Sequence, residues 1–284
     1  MGDSASAQTH LRAALDLYDR QLHHGLAHLY GGHDPGVCSR GYLGWTSFEL
    51  GDPDQARESV RVSLRLATDL GHALTDAIGL MFVILVHYHR REREVAAEHI
   101  DALARITREH GLAAWSDQAI VLQSVLRVAR GESAADAVAR ARQLSLASWR
   151  ALVSLGLLAD ACREAGQPER RLDSLAEAWE IAGGEPAGFY APELHRIRGE
   201  LLLARDASAA VEAEACFRRA YALAHARGAR SFELRAAMSL ARLAGREGRR
   251  GEARSLLAEC YRTFTKGFDT ADLRAAGTLL DELP

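Results

Sequence analysis

Lysine occurs once in this chain, as Lys266, and asparagine not at all. There are six prolines among 284 residues, and aromatic residues make up 6%. Alternating β-branched runs are absent, so little is available from which to build a sheet. Positive charge is not in excess: 35 Lys and Arg stand against 38 Asp and Glu, a net charge of −3. With no electropositive field to hold a phosphodiester backbone, nucleic acid is not an expected partner. The cysteines Cys38, Cys162, Cys216 and Cys260 form no CxxC pair. They read as small buried hydrophobes in a reducing compartment.

Long apolar runs are missing too. The most apolar one, Ala77 to Val86, is ten residues, which is too short to span a bilayer and reads as a buried helix. No secretory signal is visible, so the expected location is cytoplasmic. The opening MGDSAS fits a myristoylation pattern only loosely, and residues 1–7 are expected to be disordered. The scarcity of lysine and asparagine beside abundant alanine and arginine is the bias expected of GC-rich bacterial coding.

Recognisable reaction motifs are also lacking. No GxxxxGK[ST] loop occurs, because Lys266 follows YRTFT, and there is no GxGxxG, GxSxG or HExxH. His24 and His28 lie four apart, as a zinc-binding helical pair would, with His33 following. No third ligand is evident in sequence, and these read as solvated or helix-end histidines. The expectation is a chain that is not an enzyme and carries no cofactor or metal.

What is present is helix-forming sequence. Alanine, leucine, arginine and glutamate dominate, and prolines sit where helices begin or end. Asp52–Pro53 and Asp34–Pro35 each supply a capping carboxylate followed by a residue that needs no N–H. Gly71, Gly111 and Gly228 follow helices, where a left-handed conformation is needed. The breaks predict helices near 8–30, 36–50, 53–70, 73–89, 93–110, 112–130, 134–147, 149–165, 168–182, 189–205, 208–227, 230–247, 250–266 and 270–282.

One outline recurs. Small residues opening each second helix fall at Ala56, Ala96, Ala137, Arg171, Ala213 and Ala253, with spacings of 40, 41, 34, 42 and 40. Such a period marks stacked helical hairpins, each with one apolar face too many to bury alone. Leu43, Gly44, Gly51, Ala56, Val60 and Ser63 form the fullest copy. Gly199, Ala213, Phe217 and Ala220 form another, and Leu240, Gly248, Ala253, Leu257 and Cys260 a third. The glycine and alanine permit close helix approach, and the bulkier residue four positions on fills the gap one turn later. The copy at 168–182 has Gly166 but places Arg171 where alanine is expected. The copy at 93–110 has Arg91 in place of the turn glycine.

These residues resemble the tetratricopeptide repeat (TPR). More specifically, GHDPGVCSRGYLGW, ELHRIRGELLLA and the stretch from EACFRRAYALAHARG to FDTADLRAA are similar to the C-terminal repeat region of large bacterial signalling proteins. Those proteins join a class III nucleotide cyclase domain to a signal-transduction ATPase; related repeats occur in large ATPase-type transcription activators. The chain, opening on HLRAALDLYD, resembles that region alone or a stand-alone relative of it. The resemblance implies an all-α fold, a right-handed α-α superhelix of about six helix pairs plus terminal helices. It would form one domain over 8–283, with repeats near 36–71, 73–111, 112–147, 149–183, 189–228 and 230–267.

In that fold the first helix of each pair lines a concave groove. The register then places Trp45, Phe48, Met81, Leu85, Tyr88, Val121 and Val125 in one half of the groove. Asp160, Arg163, Arg196, Glu200, Arg235 and Arg242 fall in the other. The first set has the composition of interaction hot spots, and the second suits a carboxylate or acidic peptide. Ordinary inter-repeat core and ordinary solvated surface are the alternatives. The resemblance implies a non-catalytic scaffold binding a protein or peptide, within a regulatory ATPase or cyclase system and with such a domain as partner. A small-molecule-sensing solenoid and a module that self-associates through helix 77–86 are the other readings.

Overall fold

A computed structural model describes residues 3–133, 136–137, 149–165 and 188–283. Among the described residues all regular structure is helical. The order is α1 (Ser4–Asp16), α2 (Arg20–His23), a 3-10 segment (His24–Tyr30), α3 (Pro35–Glu49), α4 (Pro53–Leu70), α5 (Ala73–His89) and α6 (Arg93–Glu109). There follow α7 (Ala113–Ala129), α8 (Trp149–Glu164), α9 (Ala191–Arg205), a 3-10 turn (Ala207–Ala209) and α10 (Ala210–Ala226). The last three are α11 (Arg230–Arg246), α12 (Arg250–Tyr261) and α13 (Ala271–Glu282). The expected helix at 168–182, with Gly166 and Arg171, lies outside the described residues, as does most of that at 134–147.

The caps form as the local sequence requires. Asp34 accepts a hydrogen bond from the Val37 amide and Asp52 from the Gln55 amide, each with proline in the first turn. Gly71, Gly111 and Gly228 all take φ near +63. The helix expected over 8–30 is instead broken. Asp3 caps α1 by accepting from the Ala5 and Ser6 amides, and Asp19 starts α2 by accepting from Gln21 and Leu22. The disorder expected for 1–7 is therefore corrected from Ser4 onward. Ser4 Oγ donates to Glu49 Oε2 at 2.6 Å, and Gln8 Nε2 to Ser47 Oγ at 2.9 Å, which holds α1 on α3. At the other end, α12 stops at Tyr261 rather than 266.

The chain, expected as one domain, groups into two compact units. One comprises Asp3–Ala119 with Phe264–Asp272; the other holds Ile120–Thr263 and Leu273–Pro284 with the first two residues. In the first unit α3 packs on α4, α4 on α5 and α5 on α6, while α3 also meets α5 and α1 covers α3. In the second, α9 packs on α10, α10 on α11 and α11 on α12, while α9 also meets α8 and α11. Each unit thus shows consecutive helices in pairs, with the first helices of successive pairs side by side.

The recurring residues sit at these contacts. A Cβ built on Gly44 would lie 2.5 Å from Val60 Cγ1 and 3.0 Å from the Ala56 carbonyl oxygen. A Cβ on Gly199 would lie 2.5 Å from Phe217 Cε1 and 3.0 Å from the Ala213 carbonyl oxygen. The same atoms meet in both units, 155 residues apart in sequence (44 to 199). Ala56, Val60, Ser63, Ala213, Phe217, Ala220, Ala253, Leu257 and Cys260 are all buried. Ser63 also donates to the Val37 carbonyl at 2.8 Å.

Arg91 is the exception among the turns. Gly51 and Gly248 take φ of +85 and +82 between paired helices, and Arg91 takes +66 in the α5–α6 turn. It is the one non-glycine residue with positive φ among the described residues. A side chain there costs about 1–2 kcal/mol in backbone strain.

The apolar run of α5 is enclosed: Ala77 through Val86 are all buried. That helix therefore presents no apolar face through which the chain could self-associate. No helix among the described residues is long and apolar enough to cross a membrane.

Candidate interaction site

In the second unit, three helices bring the predicted charged residues together. Glu193, Arg196 and Glu200 recur at i, i+3 and i+7 along α9, so they share one face. Asp160 and Arg163 come from α8, and Arg235 and Ser239 from α11. Arg196 grips Glu193 with two hydrogen bonds, Nε to Oε2 at 2.9 Å and Nη2 to Oε1 at 2.8 Å. Arg235 Nη1 adds a third to Glu193 Oε1 at 3.0 Å. Arg196 also lies 3.6 Å from Asp160 and 3.7 Å from Glu200. Arg163 Nε donates to Asp160 Oδ1 at 3.0 Å, and Ser239 Oγ to Glu200 Oε1 at 2.6 Å.

Burial divides this network into an inner and an outer part. Asp160, Glu193, Arg196 and Arg235 are at most 5% exposed. The side chains of Arg163 and Glu200 keep 24% and 23% of their surface, and Arg242 on α11 is exposed. Burial alone would raise the pKa of Glu193, but the guanidinium groups of Arg196 and Arg235 overcome it and hold the carboxyl down to about 2. Arg196, despite its own burial, is held firmly charged by Glu193 and its other acidic neighbours. Three arginines face three carboxylates, so the inner part satisfies itself and the outer part carries what charge a partner could meet.

The predicted aromatic set lies in the first unit and is enclosed. Trp45, Phe48 and Tyr88 are 4% exposed and Met81 2%. The Trp45 ring meets His89 edge-on, 5.0 Å between centroids, and Phe48 at 5.8 Å. His89 donates from Nδ1 to the Leu85 carbonyl at 2.8 Å. The Arg93 guanidinium stacks 3.7 Å above the Tyr88 ring. Leu85, Val121 and Val125 are equally buried. These side chains form packed interior, not a wall open to solvent.

Sequence reasoning missed Glu193, Ser239 and His89. Glu193 was within reach, because its spacing to Arg196 and Glu200 is the ion-pair spacing of a helix. His89 takes part through its rings and a backbone carbonyl, which no motif announces.

The remaining reactive side chains are occupied structurally. His24 Nδ1 lies 3.2 Å from Asp34 Oδ2, which also accepts from Tyr18 Oη at 3.0 Å; His28 is exposed. Among the described residues no group of three or more His, Cys, Asp or Glu could hold a metal. All four cysteines are free thiols. Burial, with Asp34 nearby, pushes Cys38 up to about 11, and burial, with Glu233 nearby, pushes Cys260 up to about 12. Neither thiol is a nucleophile at neutral pH. No protein-family model matches the chain, and no curated protein matches it.

Proposed function

We propose that this chain is a non-catalytic scaffold of TPR type, wound as a right-handed α-α superhelix, that binds a protein or peptide partner. The partner is expected to belong to a bacterial signalling system containing an ATPase or nucleotide cyclase domain. The observation that carries the reading is the charged face built by α8, α9 and α11. Its inner ion pairs fix the helices, while Arg163, Glu200 and Arg242 stay accessible at its outer edge. Exposed arginines beside fixed acids suit a partner segment that presents carboxylates. The equivalent Gly44–Ala56 and Gly199–Ala213 contacts support the repeat architecture.

Arg196 and Arg235 are unsuited as probes of binding, because reversing either breaks the buried network. The outer residues are the ones to change. Affinity capture with the unmodified chain recovers a partner, and the R163E/R242E variant recovers markedly less while its melting temperature stays the same. Equal recovery would remove this face from the account.

A further inference from the structure

We infer that residues 264–272 form an ionic strap, closed on a platform made by the α3–α4 and α5–α6 turns and released when its ion pairs weaken. The segment belongs to the first compact unit although some 145 residues of the other unit precede it in the chain. It is fixed at both ends. Lys266 Nζ lies 3.2 Å from Asp52 Oδ2, and Asp272 Oδ1 lies 3.2 Å from Arg91 Nε. Between them Gly267, at φ +72, packs so closely on Pro53 that a Cβ would lie 2.2 Å from its Cγ.

The platform is built before the strap arrives. Arg90, its side chain 2% exposed, donates from Nη1 to the Pro53 carbonyl at 2.6 Å and from Nε to Glu92 Oε1 at 3.0 Å. These bonds lock the two turns to each other. The strained residue is explained by the same contact. Arg91 holds the left-handed conformation that glycine takes at Gly51 and Gly248, and its side chain is what reaches Asp272. A glycine would relax the turn and lose the anchor.

The fastening is reversible in character. Both ion pairs keep contact with water, 60% and 34% of the side-chain surface for Lys266 and Asp52, 27% and 18% for Arg91 and Asp272. Pairs of that kind weaken as salt rises. The segment also keeps a turn of its own, since Thr270 donates to the Gly267 carbonyl from both its amide (2.9 Å) and its hydroxyl (2.7 Å). It can therefore leave the platform without unravelling.

Hydrogen exchange on the full chain tests this. D272R should speed exchange of the amides of 264–271 by roughly three- to tenfold relative to those of α5. The reversed pair R91D/D272R should restore protection, since aspartate tolerates the left-handed conformation. R91G separates the strap from a mere turn role: exchange at 264–271 should rise even as the turn itself is relieved. In the unmodified chain, raising salt from about 0.05 to 0.5 M should reproduce the D272R effect, and this arm carries the test if the variant does not fold. Unchanged exchange at 264–271 in R91G and across the salt series would overturn the strap. So would failure of R91D/D272R to recover protection lost in a folded D272R.

Discussion

Gly199 shows how a single missing side chain positions two helices. A methyl group there would meet the Phe217 ring at 2.5 Å and the Ala213 carbonyl at 3.0 Å. Alanine would gain about 1 kcal/mol of helix propensity, yet overpacking of this kind costs about 1–3 kcal/mol or more where backbone cannot yield. Thermal unfolding of G199A should therefore show a melting temperature lowered by several degrees, and G44A should behave alike. Gly251, in α12, has nothing within 4 Å of its Cβ position, so G251A should leave the melting temperature unchanged or slightly higher. Residues of this class were legible in the sequence, because small residues at fixed spacing have few other uses. Arg91 was only half legible. Its departure from glycine was visible, but its partner Asp272 lies 181 residues away, and no local pattern links them.

At the scale of elements, the charged face joins three helices through a carboxylate that cannot be spared. Removing one member strands the others, so R196M alone should cost about 3–5 kcal/mol, whereas apolar replacement of Glu193, Arg196 and Arg235 together should cost far less. Denaturant unfolding of the two variants separates these outcomes. Acid should find the same weakness. Glu193 falls from its ordinary 4.5 to about 2, so its stabilisation is complete above 4.5 and is lost as pH falls from there towards 2. The difference in melting temperature between the unmodified chain and E193Q should narrow across that interval and be constant above it. The register was readable: the predicted residues do lie on α8, α9 and α11. Burial was not readable, because a mid-helix arginine looks the same whether it faces water or a buried glutamate. The aromatic set illustrates the same gap. Trp45 and Phe48 lie on a first helix as expected, but side chains facing the next first helix are enclosed by it, as the His89 contacts show.

For the whole molecule, the sequence announced all-helical hairpins and located most helix bounds within two residues; α4 and α5 begin and end as expected. It did not announce two compact units, nor that Phe264–Asp272 would join the first. Such groupings depend on contacts between positions far apart in the chain, to which a period of about 40 residues is blind. The functional reading rests on a frame of repeated close contacts that leaves one charged edge exposed. Association through that edge should be salt-dependent, because exposed arginines set encounter rates and are screened within about a Debye length. The most direct measurement is calorimetric titration of the captured partner into the unmodified chain and into R163E/R242E, each over a series of salt concentrations. The account predicts affinity weaker by roughly tenfold or more in the variant at low salt, with the two curves converging as salt rises. Indistinguishable affinities at every salt concentration, with both proteins equally folded, would contradict it.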